Sequence, residues 1–305
     1  MIYTMTFNPA LDYIVRLDHF KEGETNKSVS ESLFLGGKGF NVSTILSRLG
    51  YDNVALGFVA GFIGDEIERL IKERGFESQL VHLGEGNSRI NVKIKGASET
   101  EINASGPKIS KIKIDEMFDK LKILKDDDYL VLAGSIPSSL SNDIYEKIME
   151  SLDALKVNYV VDATGDLLMN VLKYKPFLIK PNTRELEELF NIEVKEIDDA
   201  IKYARKLQAL GARNVLVSMG KDGALLVSED DHVYQSPAAK GKLVNSVGSG
   251  DSMVAGFVAG YLKNYSYSDA LRMGTACGGA TAFSEDLAAK EMIDQVYESV
   301  KIKEL

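Results

Sequence analysis

Gly248-Ser249-Gly250-Asp251 stands at the head of a small-residue apolar run, in the stretch NSVGSGDSMVAGFVAGYL. A glycine-rich turn that opens a helix presents several backbone N–H groups and the positive end of the helix dipole, and so makes an anion site. An acid on the first turn of that helix has two readings. It can cap the helix. It can also be a general base, taking a proton from an attacking hydroxyl while the amides hold charge on a transferred phosphoryl group. Two other phosphate motifs do not fit. The dinucleotide pattern G-x-G-x-x-G needs a glycine where Met253 stands, and no G-x-x-x-x-G-K-[ST] occurs: Lys38 follows Gly37 but precedes Gly39.

Further stretches have a chemical and a plain reading. LGGKGFN (35–41) joins a β region to a helix; its glycines let backbone approach a ligand, and Lys38 and Asn41 add polar reach, although a flexible turn needs neither. Asn182 and Glu185 form N-x-x-E before RELEELF, which is a capping box. VLVSMGKDGALLV reads as a hairpin turning at Asp222-Gly223. In SRINVKIK, Arg89, Asn91, Lys93 and Lys95 share one strand face, and Ile90, Val92 and Ile94 the other. The charged face is either solvated or, with Lys27 from an earlier segment, a second anion site; arginine suits bidentate phosphate contact better than lysine.

The elements that must position these residues alternate. Short apolar runs at 2–7, 53–59, 129–134, 158–163, 177–180 and 214–220 read as buried strands, separated by amphipathic helical stretches. In NVSTILSRLG, Val42, Ile45, Leu46 and Leu49 recur at helical spacing, and Gly50 is the expected stop. Strands without alternation, separated by helices, imply a parallel sheet covered on both faces. Residues 12–35 and 88–104 break that rhythm and read as alternating strands, the second with a hairpin near Gly96–Ser98. Downstream of Asp251, Ala255, Gly256, Ala259 and Gly260 would let the helix approach its neighbours closely.

With 36 Lys plus Arg against 45 Asp plus Glu, the net charge of −9 argues against a general nucleic-acid binder. Cys277 is the only cysteine, so no internal disulfide forms, and it reads as a buried packing residue. His19, His82 and His232 are too scattered to suggest a Cys/His metal cluster. The start, MIYTMTFNPALD, lacks a basic region before Asn-Pro, and the run near Met253–Leu262 is too short to span a bilayer. The expectation is a cytoplasmic protein with no membrane partner.

NPALD (8–12), GGKGFN, SRINVKI, LAGSIP (132–137), KPNTRE (180–185), SMGKDG (218–223) and VGSGDS (247–252), in this order along the whole chain, resemble the ribokinase-like (PfkB) carbohydrate kinase family. The resemblance implies a three-layer α/β/α core with a mostly parallel sheet and a small β-sheet lid. The core would comprise residues 1–11, 36–86 and 106–305, and the lid 12–35 and 87–105. It implies transfer of the ATP γ-phosphate to a sugar hydroxyl. Asp251 matches the catalytic base, and Gly248, Ser249 and Gly250 the anion hole. Asp12, Gly37 and Asn41 match residues that hold sugar hydroxyls, with Lys38 and Ser135 beside them. Lys180, Asn182, Ser218, Gly220, Gly223 and Gly250 fall on the nucleotide side. Asn182 and Glu185 match the element that organises Mg²⁺ largely through water, and one helix start can be capped and still face a metal.

In the family's sugar-phosphate branch, the positions of Arg89 and Lys27 hold the substrate phosphate, and Lys93 lies beside them. SRINVKI followed by TEIN (100–103) resembles the enzymes acting on fructose 1-phosphate; those acting on fructose 6-phosphate tend to carry an arginine near Asn103. The expected reaction is therefore fructose 1-phosphate plus ATP giving fructose 1,6-bisphosphate, with tagatose 6-phosphate as the runner-up. The apolar lid face must pack on the core or pair with a second lid in a homodimer. Three rival classes remain. A dinucleotide-dependent oxidoreductase lacks its third glycine. A non-catalytic sugar-phosphate sensor has no need of Asp251. A nucleoside or vitamin kinase has no need of Arg89, Lys93 and Lys27.

Overall fold

The computed structural model describes residues 1–96 and 99–305. Its strands are β1 (Ile2–Thr6), β2 (Ala10–Arg16), β3 (Ser30–Gly36), β4 (Asn53–Ala60), β5 (Glu77–Leu83), β6 (Arg89–Lys95) and β7 (Glu99–Ile102). They continue with β8 (Tyr129–Ala133), β9 (Asn158–Asp162), β10 (Leu178–Ile179), β11 (Asn214–Ser218), β12 (Ala224–Val227), β13 (Val233–Ser236) and β14 (Lys303–Glu304). The large sheet runs β14-β13-β12-β11-β10-β9-β8-β1-β4-β5. Its members from β11 to β5 are parallel, and β12, β13 and β14 add an antiparallel edge.

Alternate side chains of each parallel strand enter opposite layers. On β8, Leu130 and Leu132 join the core under the helices Lys111–Leu121, Ile144–Ser151 and Ile197–Ala209. Tyr129, Val131 and Ala133 join the core under Lys38–Arg48, Ser249–Asn264 and Tyr267–Ala282. That is the expected three-layer sandwich, and it explains why these strands read as unbroken apolar runs. The helices Ser249–Asn264 and Tyr267–Ala282 cross closely enough that a Cβ on Gly256 would lie 2.5 Å from the Met273 carbonyl oxygen. Cys277 is buried in this contact.

The chain order reverses at β1, with β4 and β5 to one side and β8 onward to the other. In open parallel sheets, ligands bind beyond the carboxyl ends of the strands at such a switch point. Over that end lies a second sheet, ordered β3-β2-β6-β7, in which β2 and β6 are parallel and the outer pairs antiparallel. The expected hairpin is seen as the β6–β7 pairing; Ala97 and Ser98 of its turn lie outside the described residues. The hairpin at Asp222-Gly223 is seen as well, closed by the Ser218–Ala224 pair around a 3-10 turn at Gly220–Asp222.

Candidate active site

The parallel strands deliver their carboxyl-end residues to one cleft of about 610 Å³. β1 brings Thr6 and Asn8, β8 brings Gly134 and Ser135, β9 brings Asp162, and β10 brings Lys180 and Asn182. Gly37, Lys38 and Asn41 enter from the start of one helix, and Gly248, Gly250 and Asp251 from the start of another. The second sheet roofs the cleft with Asp12, Arg89, Asn91, Lys93 and Asn103.

Asp251 is not the helix cap. Gly248 holds that position, with φ +77, a left-handed backbone that glycine accepts without strain. Asp251 is the third helical residue, 6% exposed, and its Oδ2 accepts a hydrogen bond from Asn41 Nδ2 at 2.8 Å. Burial raises the Asp251 carboxyl to about 6 and the nearby Asp162 charge adds to the rise, against the pull of Lys38, the Asn41 hydrogen bond and Lys180. A general base near neutrality needs a carboxylate that is ionised yet basic enough to accept a proton, and this environment suits Asp251 to that role.

Asp162, 2% exposed, bridges two of the expected residues: Lys38 Nζ is 3.0 Å from its Oδ2 and Lys180 Nζ 3.3 Å from its Oδ1. Burial works against the Asp162 charge, but Lys180 and Lys38 outweigh it and hold the carboxyl below its usual range. Burial likewise works against the Lys38 ammonium, and Asp162 and Asp251 hold it above its usual value. Lys180 reaches the anion loop: a Cβ on Gly250 would lie 3.3 Å from its Nζ.

On the roof, Asp12 is clamped from β6, with Asn91 Nδ2 donating to its Oδ1 at 2.9 Å and Lys93 Nζ 3.4 Å from its Oδ2. Lys93 is 5% exposed and also lies 3.7 Å from Glu101 Oε1. Its charge faces two carboxylates, and it also lines the cleft. Arg89 is different. Its guanidinium donates to the carbonyls of Asn8 and Ala104, and among the described residues it pairs with no carboxylate. Lys27 is exposed on the β2–β3 connection and is not brought to the cleft of this chain. Asn103 is exposed at the rim and donates to Glu101.

A second, mostly apolar cavity of about 650 Å³ adjoins the first, lined by Gly220, Gly223, Ser249, Met253, Leu243 and Phe283 among others. The two share only Asn182, Ser218 and Gly250, so the anion loop forms their boundary. Asn182 and Glu185 do form the capping box: Asn182 Oδ1 accepts from the Glu185 amide and Glu185 Oε2 from the Asn182 amide, both at 2.8 Å. Glu185 Oε1 makes no protein hydrogen bond among the described residues and is left for a hard cation or its water. These residues fit Mg²⁺ at the cavity boundary.

Sequence reasoning missed Asp162 as a site residue, although it ends the buried strand NYVVD, and a charge closing an apolar parallel strand is a readable signal. It also missed Thr6, Asn8 and Asn91, each buried and lining the cleft with a side-chain oxygen that finds no partner among the described residues. Their signal is the position after or between strand residues, which only the pairing of β1 and β6 turns into a common surface. A separate surface group, Asp65, Glu68 and His82, gathers side chains from distant positions, but it lies outside both cavities.

No helix of the described residues is long and apolar enough to cross a membrane. Residues 5–292 match the description pfkB family carbohydrate kinase. A 1-phosphofructokinase of Bacillus subtilis (strain 168) is 45% identical over 305 residues, 100% of both chains. A D-tagatose-1-phosphate kinase of Bacillus licheniformis is 36% identical over 306 residues, again 100% of both. The fold is also that of Escherichia coli phosphofructokinase-2 solved with substrates and products, with a TM-score of 0.92, 24% identity and 98% coverage of each chain. Sandwich, roofed cleft, anion loop and sequence likeness agree, and the chain belongs to the pfkB family of carbohydrate kinases.

Proposed function

We propose that this kinase transfers the γ-phosphoryl group of ATP to a ketohexose monophosphate, fructose 1-phosphate above others, to form fructose 1,6-bisphosphate. The observation that carries the substrate reading is Arg89, a cation without a carboxylate partner on a cleft that also holds the raised Asp251. A neutral sugar would leave that guanidinium's hydrogen bonds, among the described residues, going only to backbone carbonyls. The likeness to a 1-phosphofructokinase supports the same choice.

The apolar cavity takes the nucleoside of ATP, and its phosphates run along Ser218 and Gly250 toward the cleft. Asp12 and Asn41 hold sugar hydroxyls, Ser135 lies beside them, and Arg89 takes the sugar phosphate. Asp251 accepts the proton of the 6-hydroxyl as the new O–P bond forms and the bond to ADP breaks. The Gly248 and Gly250 amides at the helix start make no hydrogen bond among the described residues and hold the charge on the phosphoryl oxygens; the Ser249 amide donates to the Ser246 carbonyl at 3.3 Å. Lys38 and Lys180, fixed by Asp162, add positive charge. Mg²⁺, held at Asn182 and Glu185 largely through water, would neutralise charge on the phosphates.

Residues 12–35 and 87–105 act as the lid, which excludes water from the cleft. Leu11 and Leu35 of its outer face pack on the core, whereas Leu33 (43% exposed), Ile90 (37%) and Ile102 (58%) do not, and we assign that outer part to a second copy of the chain. The site needs no membrane and no nucleic acid and suits a cytoplasmic enzyme.

The test compares ADP release from ATP and Mg²⁺ with fructose 1-phosphate, tagatose 6-phosphate and fructose 6-phosphate at matched concentrations. A kcat/KM preference for fructose 1-phosphate is expected. A preference for tagatose 6-phosphate would keep the mechanism and replace the substrate. No turnover with any of the three would overturn the sugar-phosphate reading.

A further inference from the structure

We propose that Lys95 is a positioning residue that ties the roof of the cleft to the phosphate-holding loop, acting through Asn245. Lys95 ends β6 and continues the two-residue period of Arg89, Asn91 and Lys93, but it is not part of the cleft lining. Its side chain is 15% exposed and reaches across to the core, where Nζ donates to Asn245 Oδ1 at 3.0 Å; Nζ also lies 3.4 Å from Glu99 Oε1 on β7.

Asn245 is the hub of the segment that leads into the anion loop. It is 9% exposed, its amide donates to the Ala282 carbonyl at 3.2 Å, and its Nδ2 to the Glu285 carbonyl at 3.0 Å. Its Oδ1 also accepts the Val247 amide at 3.3 Å. Two donors face Oδ1 and a carbonyl faces Nδ2, so the reverse amide orientation would set donors against donors. Val247 immediately precedes Gly248, whose left-handed backbone turns the chain into the helix. Without Lys95, Oδ1 keeps only its longer bond to Val247, and the entry to the loop loses its fixed partner.

The roof meets the same segment once more: Arg16, paired with Lys95 across β2 and β6, lies 3.6 Å from Glu285. That pair is largely exposed and contributes little. The less exposed Lys95–Asn245 bond is the connection that matters. A sugar phosphate bound to Asp12 and Arg89 steadies the roof, and the roof through Lys95 sets the loop that stabilises the phosphoryl group. An empty roof leaves that loop less well set, which disfavours transfer to water.

The coupling rests on the kinase reading for its chemistry but not for its geometry, so the test has two arms. Lys95→Met keeps the aliphatic stem and removes the donor. Amide hydrogen exchange across residues 246–251 is expected to speed up in Lys95→Met and to return toward the parent rate in Lys95→Arg. In turnover, kcat for the best acceptor is expected to fall about tenfold while its KM moves less than about threefold. Lys95→Met is expected to add little in an Asn245→Ala background, because the remaining pair with the half-exposed Glu99 contributes little. A raised KM with unchanged kcat would make Lys95 a substrate contact and overturn the proposal. So would unchanged exchange across 246–251. If no ketohexose phosphate is turned over by the parent protein, the substrate reading falls and the exchange arm still decides the coupling.

Discussion

The two sheets bury opposite things. The large sheet fills both faces of its parallel centre with Val, Leu and Ile and places buried charge at the end of β9, Asp162, and just past β10, Lys180. The second sheet turns a polar face inward, with Asn91 7% and Lys93 5% exposed, and leaves Leu33, Ile90 and Ile102 open. Inward charge on that sheet is tolerated because every buried charge finds an opposite charge or a hydrogen bond. One sheet is built for stability with chemistry at its rim, and the other spends its buried face on chemistry.

Breaking the rim of the large sheet is expected to have the largest effect. Asp251→Asn should lower kcat by about 10²–10⁴-fold with much smaller effects on ATP binding, measured by steady-state kinetics and nucleotide titration. Collapse of ATP affinity with turnover preserved would remove Asp251 as the base. Leu132→Ala, at 0% exposure, should cost about 2–5 kcal/mol in denaturant unfolding.

The roof should answer differently. Arg89→Met is expected to raise KM for the sugar phosphate by about 10–100-fold, the loss of one charge-assisted phosphate contact, and to change kcat far less. If kcat fell instead and KM held, Arg89 would belong to the transferring end of the cleft.

The raised Asp251 carboxyl sharpens the contrast through pH. The base is inactive when protonated, so kcat/KM should fall about tenfold per pH unit below about 6. Stability carries the opposite sign. The native state binds this proton more tightly than the unfolded chain, so the contribution is complete below the ordinary value of 3.8 and is lost as pH rises through about 6. Asp251→Asn should therefore be more stable than the parent above pH 6, by about 3 kcal/mol, with the gap closing toward acid. Unfolding curves at several pH values check this.

The smallest effect on stability is expected at Ile102→Ser, within about 0.5 kcal/mol for the dilute chain, because the residue is 58% exposed. Its effect should appear as weaker self-association in sedimentation. Unchanged association would free the outer face from the second copy assigned to it.

Much of this was legible in the sequence. The parallel strands announced themselves as unbroken apolar runs, and the glycine loops at 35–41 and 247–252 marked both helix starts that enter the cleft. The charged face of β6 was harder, because a two-residue period says which residues share a face but not which face is covered. The pairing of Lys93 with Asp12 could not be read at all, because the two lie 81 positions apart and are brought together only by the β2–β6 register. Asp162 and Asn245 were overlooked for the same reason: their meaning lies in partners contributed by distant strands and loops.

The strict alternation along β6 has a consequence for how such an enzyme can change. Residues 89, 91, 93 and 95 answer to the cleft and its supporting loop, while 90, 92 and 94 answer to whatever covers the outer face. Selection for a new acceptor and selection for a new quaternary arrangement therefore act on interleaved codons of one seven-residue segment without competing for the same positions. A lineage can retune one property while the other drifts, which makes this strand an economical place for specificity and assembly to diverge independently.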